Sequence, residues 1–195
     1  MRRNKDIQRC EKCGFRIEWC ICPQISKMKN FSDIILITHA LDEKKPSNTG
    51  KIISTTLTKC ETIRYGHIDE RLDIQSLSKR NILLLYPNED SQEITKDLYE
   101  SLKKPAILVL DGTWHQASKL ANKFKKIGAK FIHLPQGNYS KYLLRSSGRE
   151  ERLCTAQALI ECLKILGEDT LNFENALNLF IEKNLQIRGR LKNTI

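Results

Sequence analysis

Ala106-Ile107-Leu108-Val109-Leu110-Asp111-Gly112-Thr113-Trp114 is the stretch that decides the fold. Its first five residues are apolar without alternation, the pattern of a strand covered on both faces. It breaks at Asp111-Gly112, and a helical pattern then runs from His115 to Ile127 and stops at Gly128, a left-handed cap. Working outward, Ile82-Leu83-Leu84-Leu85 repeats the continuous pattern, and Ile34-Ile35-Leu36-Ile37 and Phe131-Ile132 read as further strands. Between them, Asn48-Thr49-Gly50 opens one helix. Asp90-x-x-Glu93 resembles a capping box for another, which runs to Lys104 before Pro105 stops it. Ala158, Leu159, Cys162, Leu163 and Leu166 form one face of a helix from Thr155 to Leu166, ended by Gly167. A last helix spans Phe173 to Leu185. Alternating strands and helices predict an α/β fold: a mostly parallel sheet with helices on both faces.

The 195 residues suffice for one domain with a small appendage. Hydrophobic residues at 40% and charged residues at 29% exclude a disordered chain. Lys and Arg number 33 against 23 Asp and Glu, a net charge of +10 that suits a polyanionic partner. A basic but merely soluble protein is the plain alternative. No run is long and apolar enough to span a membrane. The start, MRRNKDIQRC, lacks the apolar segment of a secretory signal, so a cytoplasmic protein is expected. In that compartment seven cysteines indicate metal or free thiols rather than disulfides. Cys60, Cys154 and Cys162 stand alone and read as small core residues.

Residues 1–30 form the appendage, with four cysteines, Trp19 and too few apolar positions for an independent core; residues 31–195 form the main domain. Cys10-x-x-Cys13 and Cys20-x-Cys22 offer four thiolates, the donor set of a closed structural zinc site. Gly14 permits the left-handed turn after the first pair. A redox pair and unliganded thiols are the alternatives. A closed four-sulfur site would hold the fold or help to grip RNA rather than catalyse.

Ligands of open parallel sheets bind beyond the carboxyl ends of the strands, where this sequence places its polar and rigid residues. Asp111 and Gly112 end one strand, with Thr113 and Trp114 entering the helix; they read either as a plain helix cap or as a ligand-facing loop. His39, Asp42, Glu43, Asn48 and Thr49 follow the first strand, Tyr86 and Pro87 the second, and Leu134 and Pro135 the fourth. His39 by itself reads equally as a satisfied, half-buried histidine. The two prolines stiffen their loops, as a preorganised pocket requires. Ser140 to Arg145, with Tyr142 interleaved and Arg149 and Arg152 following, suits a phosphate backbone and a stacked base. Lys119, Lys123, Lys125, Lys126 and Lys130 are as well explained by a solvated helix face, and Lys183, Arg188, Arg190 and Lys192 by a polar end.

In this order, Cys10, Cys13, Cys20 and Cys22, His39 to Thr49, Tyr86-Pro87, Asp111 to Trp114, Ser140 to Arg145 and Thr155 to Ala158 resemble the landmarks of the DTW-domain family of tRNA-uridine aminocarboxypropyltransferases. The resemblance covers almost the whole chain. It implies a SPOUT-like fold with a C-terminal knot, which patterning does not reveal. It also implies transfer of the 3-amino-3-carboxypropyl group of S-adenosylmethionine to N3 of a tRNA uridine, releasing methylthioadenosine. Asp111, Thr113, Trp114 and Arg145 would form the catalytic set, with Asp111 as the base that takes the N3 proton. His39, Asn48, Thr49, Tyr86, Pro87, Asp111, Gly112, Leu134, Pro135 and Thr155 would line the donor site. The cysteines would hold Zn2+. The partner would be tRNA, with neither DNA nor membrane; a monomer is expected, a dimer being the alternative. Two departures stand out. Ala40 follows His39 where the family has proline, with Asp42 or Glu43 as the acid, and Gln157 replaces the glutamate of the late helix. A glutamine cannot act as a base, though it can still accept a hydrogen bond. The rival readings are an RNA methyltransferase of the same fold class and a non-catalytic zinc RNA-binding protein.

Overall fold

The computed structural model describes residues 8–67, 71–137 and 153–189. Six strands form one sheet in the order β2-β1-β5-β3-β6-β4: β1 is Ile34–His39, β2 Cys60–Tyr65, β3 Ile82–Leu85, β4 Gln92–Glu93, β5 Ala106–Asp111 and β6 Lys130–His133. Every described pair is parallel. Among the described residues seven α-helices accompany them: α1 Ala40–Glu43, α2 Gly50–Thr56, α3 Ile74–Ser78, α4 Lys96–Ser101, α5 Trp114–Lys126, α6 Thr155–Ile165 and α7 Leu171–Ile187.

The continuous apolar strands serve two cores. In β5, Ile107 and Val109 face a cluster with Ile52 and Ile53 of α2, Leu159 and Leu163 of α6 and Phe180 of α7. Leu108 and Leu110 face the other side, against Leu77 of α3 and Leu120 and Phe124 of α5. Each central strand thus buries both of its faces, and helices cover the sheet on both sides. Among the described residues no helix is long and apolar enough to cross a membrane.

Several local readings differ from the sequence pattern, the short helices α1 and α3 among the elements it does not show. The helix expected from Asp90 or Ser91 begins at Lys96 instead, capped by Thr95, whose Oγ1 accepts from Leu98 N at 3.1 Å. Gln92 and Glu93 pair with β6, and Asp90 faces Lys125 at 2.8 Å, so neither acid of the capping-box pattern serves that helix. Strand β2 escapes an apolar-run search because it is an edge strand with Glu61, Thr62 and Arg64 exposed. The two-residue β4 is too short for any pattern.

The cysteine-rich segment shares the main core. Cys13, Phe15, Ile21 and Met28 are buried in the same cluster as α2, α6 and α7, and the rings of Phe15 and Phe180 lie 5.3 Å apart. At the opposite end of β1, buried Glu168 accepts Phe31 N and Ser32 N, each at 2.9 Å, and so ties the α6–α7 connection to the segment entering the sheet. Glu168→Gln turns one of these acceptors into an amide donor facing an N–H. A loss of about 2 kcal/mol follows, seen as a fall of about 4–8 °C in Tm; an unchanged melt would contradict this anchoring role.

Candidate active site and cysteine cluster

Strands β1 and β5 lie side by side, yet the chain leaves β1 toward β2 and leaves β5 toward β6, on opposite sides. Such a divergence opens a crevice at the carboxyl ends of the two strands. Asp111 ends β5 there, in register with Thr38, and is 4% exposed. Asn48 Nδ2 donates to Asp111 Oδ2 at 2.5 Å, while Asn48 Oδ1 accepts Lys51 N at 3.3 Å, so one side chain both caps α2 and fixes the carboxylate. Thr49 Oγ1 accepts Ala156 N at 3.4 Å and links the start of α2 to that of α6.

Gly50 is required by this approach. A Cβ at residue 50 would overlap the Asp111 carboxylate, lying 2.7 Å from its Cγ. Gly50→Ala therefore displaces Asp111, costing about 1–3 kcal/mol of stability and most of any activity that depends on Asp111. In an Asp111→Ala background the overlap with the carboxylate disappears, leaving a 3.1 Å approach to Asn48 Oδ1, which is then free to shift. The stability cost should then shrink to a few tenths of a kcal/mol, a non-additivity that thermal melts of the four proteins would read directly. Equal costs in both backgrounds would refute the steric explanation.

Around this carboxylate lie His39, Tyr65, Asp42 and Lys51. His39 Nδ1 accepts Leu41 N at 3.2 Å, and the ring stands edge-on to Tyr65 at 5.0 Å. Burial, then the charges of Asp42 and Asp111, push the Tyr65 hydroxyl up to about 12, so it remains a hydrogen-bond donor at neutral pH. Asp42 is buried and bonded to Lys45. Desolvation lowers the Lys51 ammonium, against the pull of Glu43, Cys13 and Asp111.

On the other side of β5 lies an apolar cavity of about 310 Å³, walled by Tyr86, Pro87, Gly112, Trp114, Leu134 and Thr155. Its depth comes from Leu85, Val109, Leu110 and Ala158, and His133 stands at the end of β6. Tyr86 and Trp114 form its aromatic side, with ring centroids 5.9 Å apart and planes tilted by 51°. Thr113 is the helix cap: Gln116 N donates to its Oγ1 at 3.3 Å, and Gln116 Oε1 accepts Thr113 N at 2.6 Å, completing a capping box. The cap reading of this stretch holds for Thr113, which caps α5, while Trp114 walls the cavity and Asp111 turns toward Asn48.

The expected donor-site residues therefore divide into two groups. Tyr86, Pro87, Gly112, Leu134 and Thr155 meet at the cavity, whereas His39, Asn48, Thr49 and Asp111 meet across β5; Pro135 is half-buried and outside the cavity lining. Leu85, Val109 and His133 escape sequence reasoning because nothing in an apolar strand residue or a lone histidine marks a cavity wall. The segment from Ser140 to Arg145, with Arg149, Arg152, Arg190 and Lys192, lies outside the described residues. Gln157 closes a capping box at the start of α6, where its Oε1 accepts Cys154 N at 3.1 Å and its own backbone N–H donates to Cys154 Sγ at 3.5 Å. An amide oxygen fills that acceptor position without needing a charge.

The sulfurs of Cys10, Cys13, Cys20 and Cys22 all lie within 4.8 Å of one another. Cys10 and Cys22 are 3.6 Å apart and Cys13 and Cys20 3.8 Å. Bonds of about 2.3 Å from a tetrahedral zinc put its sulfurs about 3.8 Å apart, so the cluster fits a metal ion. Burial pushes the Cys10 thiol up, but the N–H groups of Cys13 and Lys12 outweigh it and bring it down to about 7.

Among the described residues the sheet is all-parallel with helices on both faces, which places the chain among the α/β proteins. Within that class it belongs to the DTW-domain family, whose description, "DTW domain", matches residues 7–187. It is 24% identical over 177 residues to tRNA-uridine aminocarboxypropyltransferase 2 of Macaca fascicularis, covering 86% of this chain and 59% of that protein. It is 23% identical over 178 residues to the protein of the same name from Mus musculus, with the same coverage of 86% and 59%. The chain thus spans somewhat under two thirds of the length of these curated relatives. No solved structure matches it significantly.

Proposed function

We propose that the chain transfers the 3-amino-3-carboxypropyl group of S-adenosylmethionine to N3 of a tRNA uridine, releasing methylthioadenosine. The observation that carries this reading is the placement, on the two sides of one strand exit, of an aromatic-walled cavity and the buried, amide-fixed carboxylate of Asp111. Family membership and the names of the two relatives supply the reaction class.

The chemistry makes two demands. A sulfonium is a good leaving group, so the donor has mainly to be aligned, and a cavity with stacking faces can hold its flat nucleoside. Uridine N3 carries a proton that must be removed before it attacks. Asp111 takes it, with Asn48 holding Oδ2 in place. Thr113 and Thr155 position the two helix starts beside the donor, and His39, Tyr65 and Thr49 complete the polar side. Arg145, Tyr142 and the neighbouring arginines are assigned to tRNA phosphate and base contacts by their composition, on a chain with net charge +10. Residues 1–30 act as a zinc-binding module and 31–195 as the catalytic domain, the metal bracing the wall of the fold behind α2.

The leaving product tests the reading. Incubated with unmodified tRNA and S-adenosylmethionine, the protein should yield methylthioadenosine on chromatography. S-adenosylhomocysteine would indicate methyl transfer instead. Donor binding without either product would leave the acceptor wrongly assigned.

A further inference from the structure

His133 ends β6 at the cavity beside Tyr86 and Leu134. Its surroundings fix which ring nitrogen carries the proton. The Ser91 hydroxyl lies 2.6 Å from Asn88 O, too close for two oxygens without a hydrogen between them, so its hydrogen belongs to that carbonyl. Asn88 N donates to the same hydroxyl at 3.1 Å. His133 Nδ1 lies 3.0 Å from it, and with the hydroxyl hydrogen already used, Nδ1 must be the donor. With the ring hydrogen on Nδ1, the unshared electron pair of the imidazole lies on Nε2.

Among the described residues Nε2 has no hydrogen-bond partner. Among the described residues the buried side-chain atoms without partners are Asp42 Oδ2 and Thr56 Oγ1, and Nε2 is not one of them. His133 lines the largely apolar cavity, and its ring thus offers an oriented acceptor without a partner among the described residues. Apolar walls hold a flat molecule but do little to orient it; a few fixed polar groups supply orientation and selectivity.

We infer that His133 Nε2 is a specificity-determining acceptor of the cavity, receiving a hydrogen bond from an N–H or O–H of the bound nucleoside. Ser91 is the positioning residue that sets its tautomer. This rests on the cavity being the donor site proposed above. The donor group is either the amino group of the purine or a ribose hydroxyl.

Calorimetric titration with S-adenosylmethionine and with 5′-methylthioadenosine tests the inference on the intact chain. In His133→Asn the amide nitrogen takes the place of Nδ1 and keeps the bond to Ser91, but no acceptor remains at the Nε2 position. In His133→Gln the amide oxygen reaches that position. Binding should weaken about fivefold in the first variant and stay within about twofold of the wild type in the second, with melting temperatures matched. Repeating the titration with 5′-methylthioinosine and with the 2′- and 3′-deoxy analogues names the source, because the Asn penalty vanishes for the analogue that lacks the donor. Equal affinity of wild type and His133→Asn, or one constant penalty against every nucleoside, would overturn the inference and leave the transferase reading standing. A wild-type protein that binds neither S-adenosylmethionine nor 5′-methylthioadenosine would overturn both.

Discussion

Asp111→Asn is expected to lower turnover by about 10³-fold while donor and tRNA affinities change by no more than a factor of a few. The substitution keeps the shape of the side chain, and its amide oxygen can still accept from Asn48 Nδ2, which lies 2.5 Å from Oδ2. The fold should therefore survive, and Tm should move by less than about 4 °C. What disappears is the capacity to accept a proton from uridine N3. A loss in kcat with KM unchanged is the signature of an interaction made in the transition state. Single-turnover kinetics with enzyme in excess over tRNA would separate this from slow product release. An Asn variant with full activity would remove Asp111 from the role of base and return it to a structural one beside Gly50.

The largest expected effect on stability comes from the cysteine cluster. Cys13 is 0% exposed and lies in the same core as Phe15, Ile21 and Met28, so a metal held there braces α2 and α7 as well as its own loop. Zinc binding free energy is folding free energy wherever the site does not exist in the unfolded chain. Cys13→Ser, or metal removal by a strong chelator, should cost about 4 kcal/mol or more, a fall in Tm of roughly 8–16 °C for a chain of 195 residues. Metal analysis should find one zinc per wild-type chain and less in the variant. A wild-type protein with no bound metal and an unchanged melt in chelator would leave the sulfurs as free thiols. Because the closed four-sulfur arrangement leaves no open coordination position, any loss of activity should follow the loss of folded protein.

Much of the architecture is legible because the central strands are buried on both faces. Ile82–Leu85 and Ala106–Leu110 need continuous apolar residues to serve two cores, and such runs stand out in a sequence. Cys60–Tyr65 has the same geometry at the edge of the sheet. Solvent on its open side allows Glu61 and Arg64, so the signal vanishes. The start of α4 misleads for a different reason: Asp90 and Glu93 have the spacing of a capping box, but a salt bridge to Lys125 and pairing with β6 claim them first. At the site, Tyr86, Pro87, Trp114 and Leu134 follow strand ends and are legible as a group. Their separation from Asp111 and Asn48 is not, because it depends on which side of β5 each exit residue takes. Gly50 becomes meaningful only when Asp111, remote in sequence, closes over it. The tautomer of His133 depends on a turn remote in sequence, at Asn88 and Ser91.

The most direct measurement is mass spectrometry of the nucleosides of unmodified tRNA after incubation with S-adenosylmethionine and either the wild-type chain or Asp111→Asn. The wild type should produce a uridine bearing an aminocarboxypropyl group at N3, in step with methylthioadenosine, and the variant almost none. A methylated nucleoside, or the same aminocarboxypropyl product from both proteins, would contradict the assignment of Asp111 and the cavity to this transfer.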